Sequence, residues 1–440
     1  MRFREHARKT LHLAIPVAIG QLGHVMFGVV DSMMIGQIGA SYLAAASLVN
    51  GLFFLMLVFG IGVSTAVTPL VAIATGAGDD DKCGVILRQS LIVNLTIAVL
   101  LTILTYFMGD LLYFLDQPAD VVVLAESYIK IISFSIIPLM IFQTYRQFVE
   151  GLSLTKPPMY IVIVANIVNV AANYVLIYGK FGFPRLELDG AGYATLTTRI
   201  FLAIVLMWYV FGNHSLKKYD PSLKFRKFNL PMIKKILNIG IPSGLQYFFE
   251  VSAFSFSAIM IGWIGKNELA AHQIAINLAS ISYMMILGIG AAGAIRVGTF
   301  LGAKDKKATR KAGFSALGVA TLFMMVSGTV FILFREQLPY LYNDNPQVVD
   351  FAVSLIIVAA FFQLSDGIQA VGQNILRGLT DVKVPMVLSF ISYWLVGVSV
   401  GYLLGFHFEM GVVGVWIGLL TGLTVTAVFF TIRFSIKTRL

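Results

Sequence analysis

The sequence has few charged residues and almost no cysteine, and each shortage excludes a class of protein. Charged residues make up 12% of the 440 positions and hydrophobic residues 58%, against about a quarter and about a half in soluble domains. A chain of this composition cannot hide its apolar surface in water, which excludes a soluble globular protein. The one cysteine, Cys83, excludes an internal disulfide and argues against a cysteine-rich metal site.

A phosphate-binding loop is also missing, because no segment reads GxxxxGK followed by Ser or Thr. ATP hydrolysis within this chain is therefore not expected. We expect a protein that is not an enzyme, with no catalytic residues and no resident cofactor. An ion gradient is then the expected source of energy.

Apolar runs long enough to cross a bilayer, which takes about 20 helical residues, follow one another along the chain. We expect helix bends at Pro16, Pro138 and Pro242. The twelve predicted spans are 11–36, 46–74, 86–112, 121–145, 158–179, 190–212, 233–262, 269–300, 311–334, 349–373, 384–405 and 410–432.

The net charge of +10 would suit nucleic acid, but the distribution of the basic residues indicates a membrane instead. Most Lys and Arg lie in the two tails and in the even-numbered connections, which places both termini in the cytoplasm. We expect no nucleic-acid partner. The connection at about 213–232 contains Lys224, Arg226 and Lys227 and is predicted to link an N-terminal lobe, 1–220, to a C-terminal lobe, 221–440.

The two halves of the chain are copies of each other. Residues 34–39 read MIGQIG and residues 260–265 read MIGWIG, an offset of 226 that shifts to 227 where Gly151 matches Gly378. Six spans in each copy give both copies one orientation, with a pseudo-two-fold axis along the membrane normal. We therefore predict an all-α integral membrane protein with twelve transmembrane helices in two six-helix bundles. Such a scaffold suits a transporter that works by alternating access, and a channel or a scaffold protein is the alternative.

Three acids, Asp31, Glu250 and Asp366, each lie well inside an apolar stretch. An acid at the centre of a membrane helix costs about 2.5–3.5 kcal/mol on insertion scales, so it faces protein or water and marks an ion route. A carboxylate can exchange a proton for a bound cation. These acids are the predicted coupling groups.

The C-lobe coupling site is predicted to contain Glu250 and Asp366, with Na⁺ as a possible ligand. Phe254 lies one turn after Glu250 and could attract a cation through its ring face. Gln369, about one turn after Asp366, could add an amide oxygen. The alternative is that these acids only hold helices together through hydrogen bonds.

The N-lobe site is predicted around Asp31 in span 1. Asn169 and Asn173 share one face of span 5, and Thr195 in span 6 could join them. One charge and several neutral oxygens would suit a cation, a proton or the substrate. Without the acid, an Asn pair would be read as a contact between helices.

Two smaller predictions concern charged side chains. Glu126 and Lys130 are four residues apart and are expected to form a local ion pair. Arg296, near the end of span 8, is expected to snorkel to the membrane surface.

The chain resembles the multidrug and toxic compound extrusion (MATE) family, and most closely its NorM-like branch. The resemblance rests on the paired Ile-Pro steps of spans 1 and 7, on TPLVAIATGAGD at 68–79, on RVGTFLGAKD at 296–305 and on the three acids. It implies two six-helix lobes and export of cationic amphipathic compounds against Na⁺ or H⁺. It also implies a C-lobe cation site at Glu250 and Asp366 and an N-lobe site at Asp31, Asn169, Asn173 and Thr195.

One position departs from the family pattern, because some relatives carry a tyrosine where this chain has Phe362. The missing hydroxyl weakens the case for Na⁺ and leaves the choice between Na⁺ and H⁺ open. A lipid-linked precursor flippase and a major-facilitator exporter are the alternatives within transporters. We expect a monomer in a bacterial inner membrane, with membrane lipids and small cationic molecules as partners.

Overall fold

The computed structural model describes residues 3–114, 118–221 and 228–439, and every regular element in those ranges is helical. Three basic residues of the predicted linker, Lys224, Arg226 and Lys227, lie outside the described residues.

Twelve spans, numbered α1 to α12, make up the fold. The first six are α1, Phe3–Gly36; α2, Ala40–Ser64 with Val67–Gly76; α3, Asp80–Leu111; α4, Ala119–Ser133 with Ile136–Gly151; α5, Lys156–Tyr178; and α6, Glu187–Gly212. The others are α7, Leu230–Ile264; α8, Lys266–Gly302; α9, Lys306–Leu333; α10, Pro346–Gly378; α11, Lys383–His407; and α12, Gly411–Lys437.

The predicted set of twelve spans is confirmed. Eleven described helices are long and apolar enough to cross a membrane, and the bent pair in α4 supplies the twelfth. The helices extend beyond the predicted spans; span 4, for example, was predicted at 121–145, but its second segment ends at Gly151. Hydropathy detects only the apolar part of a helix, whereas the hydrogen-bond ladder continues into polar end turns.

Prolines explain the two broken helices. Pro138 has no N–H to donate to the carbonyl of Phe134, and α4 bends by 40° at that point. Pro69 has the same relation to Thr65, where α2 is interrupted, and this break was not predicted. Pro16 and Pro242 lie within the continuous helices α1 and α7.

The repeat also preserves helix caps. Asp79 accepts a hydrogen bond from the backbone N–H of Lys82 at 3.1 Å, and Asp305 accepts one from Ala308 at 2.8 Å. Each aspartate satisfies a free N–H at the start of α3 or α9. Asp79 and Asp305, which are separated by the repeat offset of 226, are therefore both N-terminal caps of helices.

The chain forms two compact units. Unit 1 comprises Met1–Ala18 and Leu245–Leu440, and unit 2 comprises Ile19–Gly244. The unit boundaries therefore fall inside α1 and α7, two residues after Pro16 and Pro242. Lobes at 1–220 and 221–440 were predicted from the sequence repeat rather than from compactness, and that division stays a prediction.

Glycines bring α11 and α12 together within unit 1. A Cβ added at Gly418 would lie 2.3 Å from the Cα of Gly401 and 2.6 Å from the carbonyl oxygen of Gly397. Backbone atoms on both sides leave no flexible side chain to move aside. Close helix approach through small residues is a common way to pack helices in lipid.

Gly418→Ala is therefore expected to lower the free energy of unfolding by about 1–3 kcal/mol, the usual cost of overpacking. Thermal unfolding of the purified protein in detergent measures the change. Gly51→Ala is the matched control, because Gly51 is exposed in α2 and has nothing within 4 Å of an added Cβ. An unchanged melting temperature for Gly418→Ala would show that the two helices can move apart at little cost.

Candidate functional site

Asp31 lies in unit 2 and is held by side chains from two other helices. Its Oδ1 accepts hydrogen bonds from Asn169 at 3.2 Å and Asn173 at 2.5 Å, both on α5, and its Oδ2 accepts one from Thr195 on α6 at 3.2 Å. Asp31 is 8% exposed, and the amide Oδ1 of Asn173 has no hydrogen-bond partner among the described residues. The four residues predicted for the N-lobe site are therefore brought together.

An arginine that the sequence reading did not use lies close to this site. Arg199 is one turn after Thr195 on α6 and interacts electrostatically with Asp31. Its Nη1 donates a 2.6 Å hydrogen bond to the Ser135 hydroxyl at the bend of α4, and its guanidinium lies over the Phe53 ring. It forms no ion pair with a described carboxylate. Arg199 lies in the same apolar span as Thr195, and a charged residue inside such a span was the signal that could have linked it to the site.

Glu250 and Asp366 lie in unit 1 and interact with each other electrostatically. Each is 6% exposed, Glu250 on α7 and Asp366 on α10, and the two carboxylates repel each other. Tyr283 on α8 donates a hydrogen bond to Oε1 of Glu250 at 3.4 Å. Among the described side chains none donates a hydrogen bond to Oε2 of Glu250. The two oxygens of this buried carboxylate therefore have different surroundings.

Amides on α10 extend the acid pair. Gln369 lies beside Glu250, and its Nε2 donates to Oε1 of Gln373 at 3.2 Å. The Oε1 of Gln369 has no hydrogen-bond donor in the described part of the chain. Glu250 therefore interacts with both Asp366 and Gln369, two of the residues predicted for the C-lobe site.

Aromatic rings pack next to the acid pair. Phe254 lies edge to face with Phe362, with 5.9 Å between ring centroids, and Phe362 lies 5.4 Å from the Trp416 ring. Phe362 is 2% exposed. The ring that replaces a tyrosine in this chain is therefore enclosed by other aromatic rings.

A second buried charge cluster was missed in the sequence. Arg146 and Glu150 form a 2.7 Å ion pair on α4, with side chains only 6% and 4% exposed, and Arg146 also donates to Gln21 on α1. These residues lie beyond the predicted end of span 4 at 145, so they were read as part of a connection. Their opposite charges four residues apart were the signal that could have revealed them.

The two smaller predictions had different outcomes. The ion pair between Glu126 and Lys130 is confirmed at 2.6 Å. The prediction that Arg296 snorkels is wrong, because Arg296 is 6% exposed and donates to the carbonyl of His6 and the hydroxyl of Thr10, each at 2.6 Å. The first turns of α1 supply these acceptors, which hydropathy could not reveal.

Comparison with known proteins identifies the family of the chain. The MatE family model matches residues 16–175 and again residues 242–403. The two matches begin 226 residues apart, the same offset as the internal repeat.

Two bacterial relatives are similar along nearly their whole length. A probable multidrug resistance protein NorM of Rhizobium meliloti (strain 1021) is 35% identical over 434 residues, covering 98% of this chain and 93% of the relative. A multidrug resistance protein MdtK of Yersinia pseudotuberculosis is 34% identical over 432 residues, covering 97% and 94%.

Solved structures have the same fold. A eukaryotic MATE transporter, AtDTX14, superposes with a TM-score of 0.89 at 22% identity and 99% coverage of both chains. An outward-facing multidrug resistance MATE family transporter gives 0.89 at 21% identity, with 98% of this chain and 96% of that chain covered. With the family match and relatives above 30% identity, this integral membrane protein belongs to the MatE family as a NorM-like member.

Proposed function

We propose that this chain is a secondary active exporter that exchanges cationic amphipathic compounds for Na⁺ or H⁺ by alternating access. Its relatives NorM and MdtK are multidrug resistance proteins, which supports drug-like small molecules as the exported compounds. The observation that carries the proposal is the pair of buried acids, Glu250 and Asp366, together with an oxygen of Glu250 that accepts no hydrogen bond from the described part of the chain. Two carboxylates in an apolar interior need a positive charge nearby, and a transported cation supplies one.

Competition for charge would couple the two fluxes. Na⁺ or H⁺ bound at Glu250 and Asp366 removes the attraction that the site has for a cationic drug, so occupation by one favours release of the other. Such coupling needs a difference in affinity of about 1–3 kcal/mol between the two states, which one charge interaction in a buried site can provide.

The N-lobe site would have a different part in this cycle. The carboxylate of Asp31 already accepts three hydrogen bonds, from Asn169, Asn173 and Thr195. These donors hold the carboxylate in one orientation, ready to accept a proton or the cationic end of a substrate. Asp31 in unit 2 and Glu250 in unit 1 would thus both bind ligands during a single transport cycle.

The proposed setting is a bacterial inner membrane with both chain termini in the cytoplasm, and the proposed working form is a monomer. In this setting the chain moves solutes and performs no catalysis. The excess of basic residues in the connections assigned to the cytoplasm supports the orientation.

Transport by the purified protein in liposomes tests the proposal against a channel. An inward-directed Na⁺ gradient and an inward-directed H⁺ gradient are applied in separate experiments, and ethidium movement is followed by fluorescence. An exporter moves dye against its gradient with one of the ions and stops when that gradient is collapsed. Passive ion flux without dye accumulation would instead identify a channel, and scrambling of fluorescent lipid would favour the flippase alternative.

A further inference from the structure

Arg377 is a buried cation that forms no ion pair within 4.0 Å with a described carboxylate. It is 3% exposed, near the end of α10, and its Nη1 donates weakly to the Tyr247 hydroxyl at 3.4 Å and to Oδ1 of Asn374 at 3.2 Å. Its Nε and Nη2 are buried and have no acceptor among the described residues. A guanidinium in this state costs several kcal/mol unless a negative charge lies nearby.

The internal repeat shows how the corresponding position in unit 2 is neutralised. At the offset of 227, Arg377 corresponds to Glu150 and Gln373 to Arg146. In unit 2 the Arg146–Glu150 pair is closed at 2.7 Å, so the positive charge has its own counter-ion on the same helix. In unit 1 the residue one turn before Arg377 is the neutral Gln373.

The negative charge for Arg377 comes instead from α7. The Arg377 guanidinium lies over the Tyr247 ring, 5.1 Å from its centroid, and contacts the Tyr247 hydroxyl, and Tyr247 is three residues before Glu250 on α7. Glu250 and Arg377 attract each other from this position, although they form no ion pair within 4.0 Å. At the offset of 226, Glu250 corresponds to His24, which is half-buried in unit 2 and interacts electrostatically with Arg146. Unit 2 therefore has an ion pair within one helix, α4, where unit 1 has an attraction between two helices, α7 and α10.

Charge counting then defines what the C-lobe site can hold. When both acids are ionised, Glu250 and Asp366 supply two negative charges and Arg377 supplies one positive charge. The other groups that face the acids, Tyr283 on α8 and Tyr393 on α11, are neutral phenols. One net negative charge remains, and a single monovalent cation cancels it.

We propose that Arg377 is a positioning residue that limits the Glu250–Asp366 site to one monovalent cation in each transport cycle. This inference rests on the proposed function for its meaning in transport, but it concerns binding and can be tested without transport. Neutralising Arg377 should let the site take up a second positive charge, either as Na⁺ or as a proton.

Cation counting on the purified protein tests the proposal. Radioactive Na⁺ bound and protons taken up are measured together, from an alkaline Na⁺-free state to saturation. The Glu250→Gln/Asp366→Asn double variant gives the baseline that removes the contribution of surface groups. Monodisperse elution and a cooperative melt establish that each variant is folded.

The expected count follows the net charge in every variant. The unmodified protein and Arg377→Lys take up one positive charge above baseline, Arg377→Gln takes up two, and Glu250→Gln takes up none. The double variant Glu250→Gln/Arg377→Gln returns to one. Arg310→Gln, which removes a positive charge from α9 far along the chain, keeps the count at one.

Two outcomes would overturn the inference. One is an Arg377→Gln protein that is folded and still takes up one charge, and the other is a double variant that takes up none. A correct set of counts in a protein without cation-driven efflux would refute the proposed function and leave the role of Arg377 intact.

Discussion

Asp366→Asn is expected to abolish cation-driven efflux, lowering the gradient-dependent rate by about 100-fold. The amide has nearly the shape of the acid but carries no charge. Without the negative charge of Asp366, the charges of Glu250 and Arg377 cancel, and the C-lobe site has no net negative charge to attract a cation. Ethidium efflux from liposomes under an imposed ion gradient is the measurement.

Asp350→Asn is the matched control for this experiment. Asp350 lies on the same helix, α10, but is exposed, so its replacement should leave efflux unchanged. Efflux at the normal rate in folded Asp366→Asn protein would refute the assignment of the coupling site.

Glu150→Gln is expected to lower the free energy of unfolding by about 3–5 kcal/mol, because it leaves the charge of Arg146 buried without a partner. The double variant Arg146→Gln/Glu150→Gln removes both charges and should recover much of this loss. Thermal unfolding in detergent measures both changes.

A second ion pair on the same span gives the comparison. The Glu126 and Lys130 side chains are 26% and 28% exposed, so Glu126→Gln should cost only about 0.2–1 kcal/mol. Equal losses for Glu126→Gln and Glu150→Gln would show that burial does not strengthen the Arg146–Glu150 pair.

The sequence was sufficient to predict the fold, because membrane helices can be recognised from their length and apolar content. It was also sufficient to bring Asp31 together with Asn169, Asn173 and Thr195, since an acid in lipid must be surrounded by donors. The geometry of the α-helix explains why Asn169 and Asn173 were predicted together, because side chains at positions i and i+4 share one face of a helix.

The buried arginines could not be predicted in the same way. For Arg146 the only signal was the glutamate four residues later, which indicates an ion pair but not its burial. Arg377 lies at the end of a helix, where the sequence alone does not separate a buried cation from one that reaches water. Arg296 was misread for this reason, since its acceptors come from His6 and Thr10 at the other end of the chain. Only the packing of distant helices decides whether such a charge is enclosed.

The division of the chain into units has a consequence for biosynthesis. Unit 2 is one uninterrupted stretch, whereas unit 1 combines the first residues with the second half of the chain. His6 and Thr10 are synthesised early, but their partner Arg296 follows 290 and 286 residues later. Because synthesis proceeds from the N-terminus, all of unit 2 is made while the opening turns of α1 still lack this partner. The hydrogen bonds that join His6 and Thr10 to Arg296 can therefore form only after all of unit 2 has been synthesised.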